Sequence, residues 1–471
     1  MRAPGFPRVR VSLLAAVLGV AALATACLPA APAADPAPPS TTTVPPAAIC
    51  GVTASSAADP TAPGPAATKG EYVAVVDTGG ETQTLTRDVS TFGDLVEFQA
   101  DAASRGDVVL LAPDGEVHAS AESPTWGFVD SGFDAAWTAA SVDGRGVRVA
   151  VLDTGVDASH PDLVGHFDPA PAGMDFTTTD PIDPAKIVPT PGVATDPNGH
   201  GTHVTGIVAA TAGNGLGVEG GAPAATIVPV RVLDDEGAGS LSGVAAGLRW
   251  AAGTGPTQGR AGVITMSLGS GIDSGVVGQA LAEIENPANA QYTHPIVTIA
   301  AGNNQCAATA YPAAYAGINA YTNSPVPGSN PPLFLPPMPQ VIPVSAVCKP
   351  GVTGDCPSTT PFPDDGWQLA DFSSLLPSNV SGPTGVAAPG AMIDSTWPGG
   401  YRSVSGTSMA APFVAAVAAL VREHCPSDDA AAVAQRIESS AASSRDLGPS
   451  GRDRLYGYGM IDARAALQSC S

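Results

Sequence analysis

The stretch Val149-Ala150-Val151-Leu152-Asp153-Thr154-Gly155-Val156-Asp157 decides the fold. An apolar run of strand length ends in an aspartate and a glycine turn. An α/β sheet delivers a polar side chain to the carboxyl end of a strand in this way. Ser159-His160-Pro161-Asp162-Leu163 follows at once. Downstream, Asn198-Gly199-His200-Gly201-Thr202-His203-Val204-Thr205-Gly206 places a glycine-flanked histidine at the start of a small-residue helix. An imidazole titrates near neutrality and suits a general base. A carboxylate on its other ring nitrogen would fix the tautomer and stabilise the imidazolium.

Gly406-Thr407-Ser408-Met409-Ala410-Ala411-Pro412 leads from a small-residue turn into an apolar run, 413–421, that reads as a helix. Ser408 therefore sits at a helix N-terminus, where free N–H groups and the dipole favour a developing negative charge. Taken alone, it also fits an N-cap serine before a core helix. Ile296-Val297-Thr298-Ile299-Ala300-Ala301-Gly302-Asn303 is an apolar strand ending in Gly-Asn, which alone reads as a strand and a turn. Val263-Ile264-Thr265-Met266-Ser267-Leu268-Gly269 is a further apolar strand.

In the order Asp, His, Ser, these segments resemble the subtilisin-like serine peptidases, over about residues 126–466. The resemblance implies an α/β fold, a mostly parallel sheet with helices on both faces. It implies Asp153 as the triad aspartate, His200 as the base and Ser408 as the nucleophile. Asn303 and the Ser408 N–H become the oxyanion donors, and His203 an ordinary helix residue. Acid relatives keep Ser-Gly-Thr-Ser but use a glutamate base, so the intact His200 motif points to the subtilisin-type branch. The segment 263–269 matches the strand that pairs with substrate backbone, its exposed edge expected to bind an extended peptide by β-augmentation, with Ser267, Leu268 and Gly269 in contact. Ala301 and Gly302 are expected on the same wall. Ala310 matches a position at the back of the primary specificity pocket, where its methyl would shorten the pocket. The loop 315–340 borders the cleft or is a surface excursion. No cofactor is needed for the chemistry. A structural calcium is expected on Asp162, Asn214 and the carbonyls of Leu216 and Val218, in a loop one residue longer than usual; an Asn-Gly loop without metal is the other reading.

The chain has 471 residues, 44% of them hydrophobic, enough for one large domain with extensions. Its net charge of −23 argues against nucleic acid as a partner, favours solubility and says little about substrate. The resemblance implies a peptide or protein substrate, and a monomer is expected. Residues 1–26 read as a secretory signal: Arg2, Arg8 and Arg10, then an apolar run, 11–26. Leu23-Ala24-Thr25-Ala26-Cys27 fits both a loose lipobox, with Cys27 lipidated and membrane-attached, and an ordinary Ala-x-Ala cleavage site. Location is extracellular either way. With Cys27 set aside, six of the seven cysteines remain. Cys348 with Cys356, Cys425 with Cys470 and Cys50 with Cys306 are the pairs expected, among fifteen possible connectivities.

Residues 27–69 are a Pro/Ala/Thr-rich spacer. Residues 70–122 form a small α+β module placed like a subtilase propeptide, with a strand at 71–77, a helix at 91–104 and a hairpin of 107–111 with 116–119 around Pro113-Asp114-Gly115. The peptidase domain is 123–471. The competing functions are a dedicated maturation protease with one partner substrate and an inactive surface-binding protein of the same fold.

Overall fold

The computed structural model describes the chain from residue 122 to 470, apart from 169–172, 179–188, 193–194, 273–274, 306–307, 318–337, 354, 357–365, 380–381 and 469. It also describes 70–77, 82–89, 101, 105 and 107–113. The expected signal and spacer, residue 50, most of the expected 91–104 helix, the 114–119 arm of the hairpin and most of the 315–340 loop lie outside the described residues.

In the small module, β1 (Gly70–Asp77) is the middle of a three-stranded antiparallel sheet, between β2 (Thr82–Val89) and β3 (Asp107–Pro113). The sequence reading misses β2. Its residues, TQTLTRDV, are largely polar, as a sheet-edge strand can be, and carry no apolar alternation to detect.

The peptidase domain is built on five parallel strands in the spatial order β8-β7-β6-β4-β5. These are β4 (Arg148–Asp153), β5 (Thr226–Arg231), β6 (Val263–Met266), β7 (Ile296–Ala300) and β8 (Val341–Cys348). Beyond them, β9 (Val386–Pro389) pairs parallel with β8. The continuous apolar runs are explained by burial on both faces. Along β4, Val149 and Val151 enter one core cluster, while Ala150 and Leu152 enter the other.

Helices cover both faces. Against the first are α1 (Trp126–Asp130), α2 (Phe133–Ala140), α3 (His200–Ala209), α6 (Thr407–His424), α7 (Ala430–Ser444) and α8 (Ala463–Ala466). Against the second are α4 (Leu241–Ala252) and α5 (Val276–Glu285). A two-stranded hairpin, β10 (Ile393–Trp397) and β11 (Gly400–Val404), lies on α3 and leads into α6. Its packing needs Gly206, where a Cβ would come within 2.4 Å of Ser395 Oγ. The Cys348–Cys356 and Cys425–Cys470 disulfides form as expected. Both cysteines of the third pair lie outside the described residues.

Candidate active site

Three candidate residues follow from strand direction. Asp153 ends β4, Ser267 follows β6, and Asn303 lies three residues beyond β7, all at the carboxyl edge of the parallel sheet. His200 opens α3 and Ser408 lies in the first turn of α6.

Asp153 is fully buried, and its Oδ1 lies 2.7 Å from His200 Nδ1. The Thr154 N–H also donates to that oxygen, at 2.8 Å. Burial pushes the His200 pKa down. The charge and hydrogen bond of Asp153, with Asp196 behind it, more than reverse this, so the pKa stands above the ordinary imidazole value. His203 plays no part. It is buried, its Nε2 faces the carbonyls of Ile393 (3.0 Å) and Arg402 (2.9 Å), and burial lowers its pKa to about 3.

Ser408 is not the N-cap of its helix; Gly406 is. Helix α6 begins at Thr407, earlier than the apolar run suggests, and continues through Pro412. Proline has no N–H, so the Ser408 carbonyl, four residues earlier, receives no helical hydrogen bond. Ser267 Oγ donates to it instead, at 2.7 Å. In return, Ser408 Oγ donates to the Ser267 carbonyl at 3.2 Å. Among the described residues, no hydrogen bond joins Ser408 to His200 in this conformation.

Asn303 is oriented by its acceptor end. Its Oδ1 takes the Thr407 N–H and the Thr407 hydroxyl, both at 2.9 Å, which leaves Nδ2 as the outward donor. A Cβ built on Gly406 would lie 3.3 Å from Asn303 Nδ2 and 3.5 Å from the Ser408 N. The two donors thus share one small space, kept open by a glycine.

The segment expected to pair with substrate divides in two. Val263–Met266 is a central strand, bonded to β4 and β7 on its two sides, and offers no free edge. Residues 267–269 run past the end of the sheet and line a cleft with Thr154, Asn198, His200, Leu233 and Gly237. Augmentation is therefore confined to Ser267, Leu268 and Gly269. Ser270 is already bridged to Tyr311. The Ala310 methyl sits between Gly269 and Gly302: a Cβ added to the first would lie 3.2 Å from it, and one added to the second 3.0 Å. The Ala310 N–H bonds the Ala301 carbonyl at 2.8 Å. All six expected substrate-binding residues thus converge. Beyond Gly269 a cavity of about 460 Å³ opens among Leu233, Leu241, Val244, Leu268, Val277 and Tyr315.

The expected calcium residues also meet. Asp162 is fully buried and accepts from Asn214 Nδ2 at 2.6 Å, the Val218 N–H at 3.3 Å and Tyr401 OH at 3.3 Å, while the Leu216 N–H turns to Asn214 Oδ1 at 2.7 Å. Burial raises the Asp162 pKa despite these bonds. Glu122 joins the cluster: its carboxylate takes the N–H groups of Gly213 (2.5 Å) and Gly215 (2.8 Å). The sequence reading misses it because it is remote from the loop along the chain. Asp162, Asn214 and Glu122 carry the hard oxygen atoms that calcium takes, and in this conformation those oxygens accept hydrogen bonds from within the cluster.

Fold and site together define a serine endopeptidase on an α/β scaffold. A profile of the Subtilase family matches residues 144–459, so the chain belongs to the subtilase family. It is 35% identical over 326 residues to a thermostable alkaline protease of Halalkalibacterium halodurans, covering 69% of this chain and 68% of the relative. Thermitase of Thermoactinomyces vulgaris is 32% identical over 334 residues, covering 71% and 92%. Among solved structures, Sphericase matches with a TM-score of 0.54 at 27% identity, covering 73% of this chain and 99% of that one.

Proposed function

We propose that the protein is an exported serine endopeptidase working through Asp153, His200 and Ser408 and an acyl-enzyme. The observation that carries this is the 2.7 Å Asp153–His200 contact behind a helix-borne Ser408. Ser408 Oγ leaves the Ser267 carbonyl, which becomes free for a substrate N–H, and turns to His200 Nε2. His200 takes its proton as Oγ attacks the peptide carbonyl carbon. Asn303 Nδ2 and the Ser408 N–H receive the oxyanion. His200 then protonates the departing amine, and water, activated by the same imidazole, releases the acid. The test is an activated ester under pre-steady-state conditions. A burst of alcohol equal to the enzyme concentration, absent in Ser408→Ala, supports the acyl-enzyme; linear release without a burst argues against it.

Calcium, if bound, would be held by Asp162, Asn214 and Glu122 with the carbonyls of Leu216 and Val218, and would supply structural charge balance only. Chelation should lower the melting temperature of the Ser408→Ala protein, and added calcium should restore it; an unchanged melt removes the metal from the account. Lipid attachment at Cys27 is read by intact mass of the exported protein, where an unmodified Cys27 leaves a freely secreted enzyme. Removal of the N-terminal module is read by N-terminal sequencing, with self-cleavage expected between about residues 119 and 126, in the stretch that joins the module to the peptidase domain.

A further inference from the structure

A second buried carboxylate stands behind the base. Asp196 is 3% exposed. Its Oδ1 accepts from Thr154 Oγ1 at 2.8 Å and the Gly199 N–H at 3.0 Å. Its Oδ2 accepts from the Thr202 N–H at 2.8 Å and the Thr202 hydroxyl at 2.7 Å. Of these donors, Gly199 and Thr202 flank His200 in sequence. The Gly201 N–H completes the ring by bonding Thr154 Oγ1 at 3.0 Å. Thr154 itself touches the triad, through its N–H at 2.8 Å and its hydroxyl at 3.3 Å from Asp153 Oδ1.

We propose that Asp196 is a positioning residue of the catalytic base: a second carboxylate, linked to Asp153 through Thr154, that fixes the start of α3 and places its charge behind His200. The proposal rests on the triad reading above. All four donors to Asp196 are neutral dipoles, so they solvate its charge without cancelling it. Among the described residues, the cations nearby have other partners. Arg231, the register partner of Asp153 on β5, pairs with Asp175 and Asp235. Arg402 on the hairpin stacks over Trp397. His203, on the same helix, is held neutral, and the Asp157 carboxylate binds Ser159. The field of Asp196 therefore falls on His200, where it stabilises the imidazolium formed as Ser408 attacks. The direction of the His200 shift agrees.

The test compares wild type with Asp196→Asn, which keeps the shape and an oxygen acceptor but loses the charge. Two quantities are followed against pH: kcat/KM, and the rate at which a fluorophosphonate labels Ser408. Only folded molecules label, so partial misfolding changes the amplitude and not the pH dependence. The expected result is an acid limb moved to lower pH, because the imidazole loses protons more readily, with plateau kcat reduced about 10-fold at unchanged KM. Asp196→Glu, which keeps the charge, should hold the limb at its wild-type pH even where its plateau falls. An acid limb unmoved in Asp196→Asn, or a variant with no labelled fraction at any pH, reduces Asp196 to a structural anchor and overturns the proposal. Activity surviving in Ser408→Ala would instead overturn the triad and leave the acid-limb comparison standing.

Discussion

At the residue scale, the site depends on orientation as much as on identity. Asn303 donates outward because Thr407 occupies its carbonyl with two hydrogen bonds. Asn303→Ala should therefore lower kcat by roughly 10²–10³ with KM nearly unchanged, the size of loss that removing one such donor causes in subtilisin. Steady-state kinetics on one peptide substrate check this, and an unchanged kcat would remove Asn303 from the oxyanion hole. Asp153, His200, Ser408 and Asn303 are legible in the sequence because each carries its own local signature: a strand end, a glycine-flanked helix start, a small-residue turn. Asp196 is not. It is an unremarkable aspartate four residues before His200, and its part is visible only once folding brings Thr154 against it.

At the element scale, strand order does most of the placing. The parallel sheet sets Asp153, Ser267 and Asn303 along one edge, and the helices starting at His200 and Thr407 close over it. This is readable from apolar runs of strand length. The reach of each element is not. The sequence suggests a free edge along the whole of 263–269, but β6 is flanked on both sides and only its extension is open. Likewise α6 starts six residues before the apolar run, since Pro412 is tolerated where a serine hydroxyl replaces the missing helical donor. The C-terminal elements are tied by Cys425–Cys470, a bridge with a sequence separation of 45. Replacing both cysteines by serine should cost at most about 4 kcal/mol by the chain-entropy relation for a loop of that length. Urea unfolding in the Ser408→Ala background, which prevents self-digestion, measures it; a midpoint equal to that of the parent would make the bridge dispensable.

At the scale of the whole molecule, half-buried acids are expected to shape the pH response of stability. Burial raises the Glu438 pKa from 4.5 to about 7, against the opposing pull of the Gly385 N–H and Arg452, and raises Asp453 from 3.8 to about 6. In both, the folded value exceeds the unfolded one. Their contribution is therefore complete below about pH 4 and is lost as pH rises through 6 to 7. Glu438→Gln should flatten this slope, with an effect on the order of 3 kcal/mol at most between pH 5 and pH 8. Urea midpoints at the two pH values test it, and parallel slopes in parent and variant would count against it. The central claim is that these elements assemble a working nucleophile at Ser408. The most direct measurement is to label the matured enzyme with a fluorophosphonate and locate the adduct by peptide mass spectrometry. The account predicts one adduct per chain, on Ser408, with peptide hydrolysis lost in step with labelling and no adduct in Ser408→Ala. Labelling at another residue, or hydrolysis that persists after Ser408 is blocked, would contradict it.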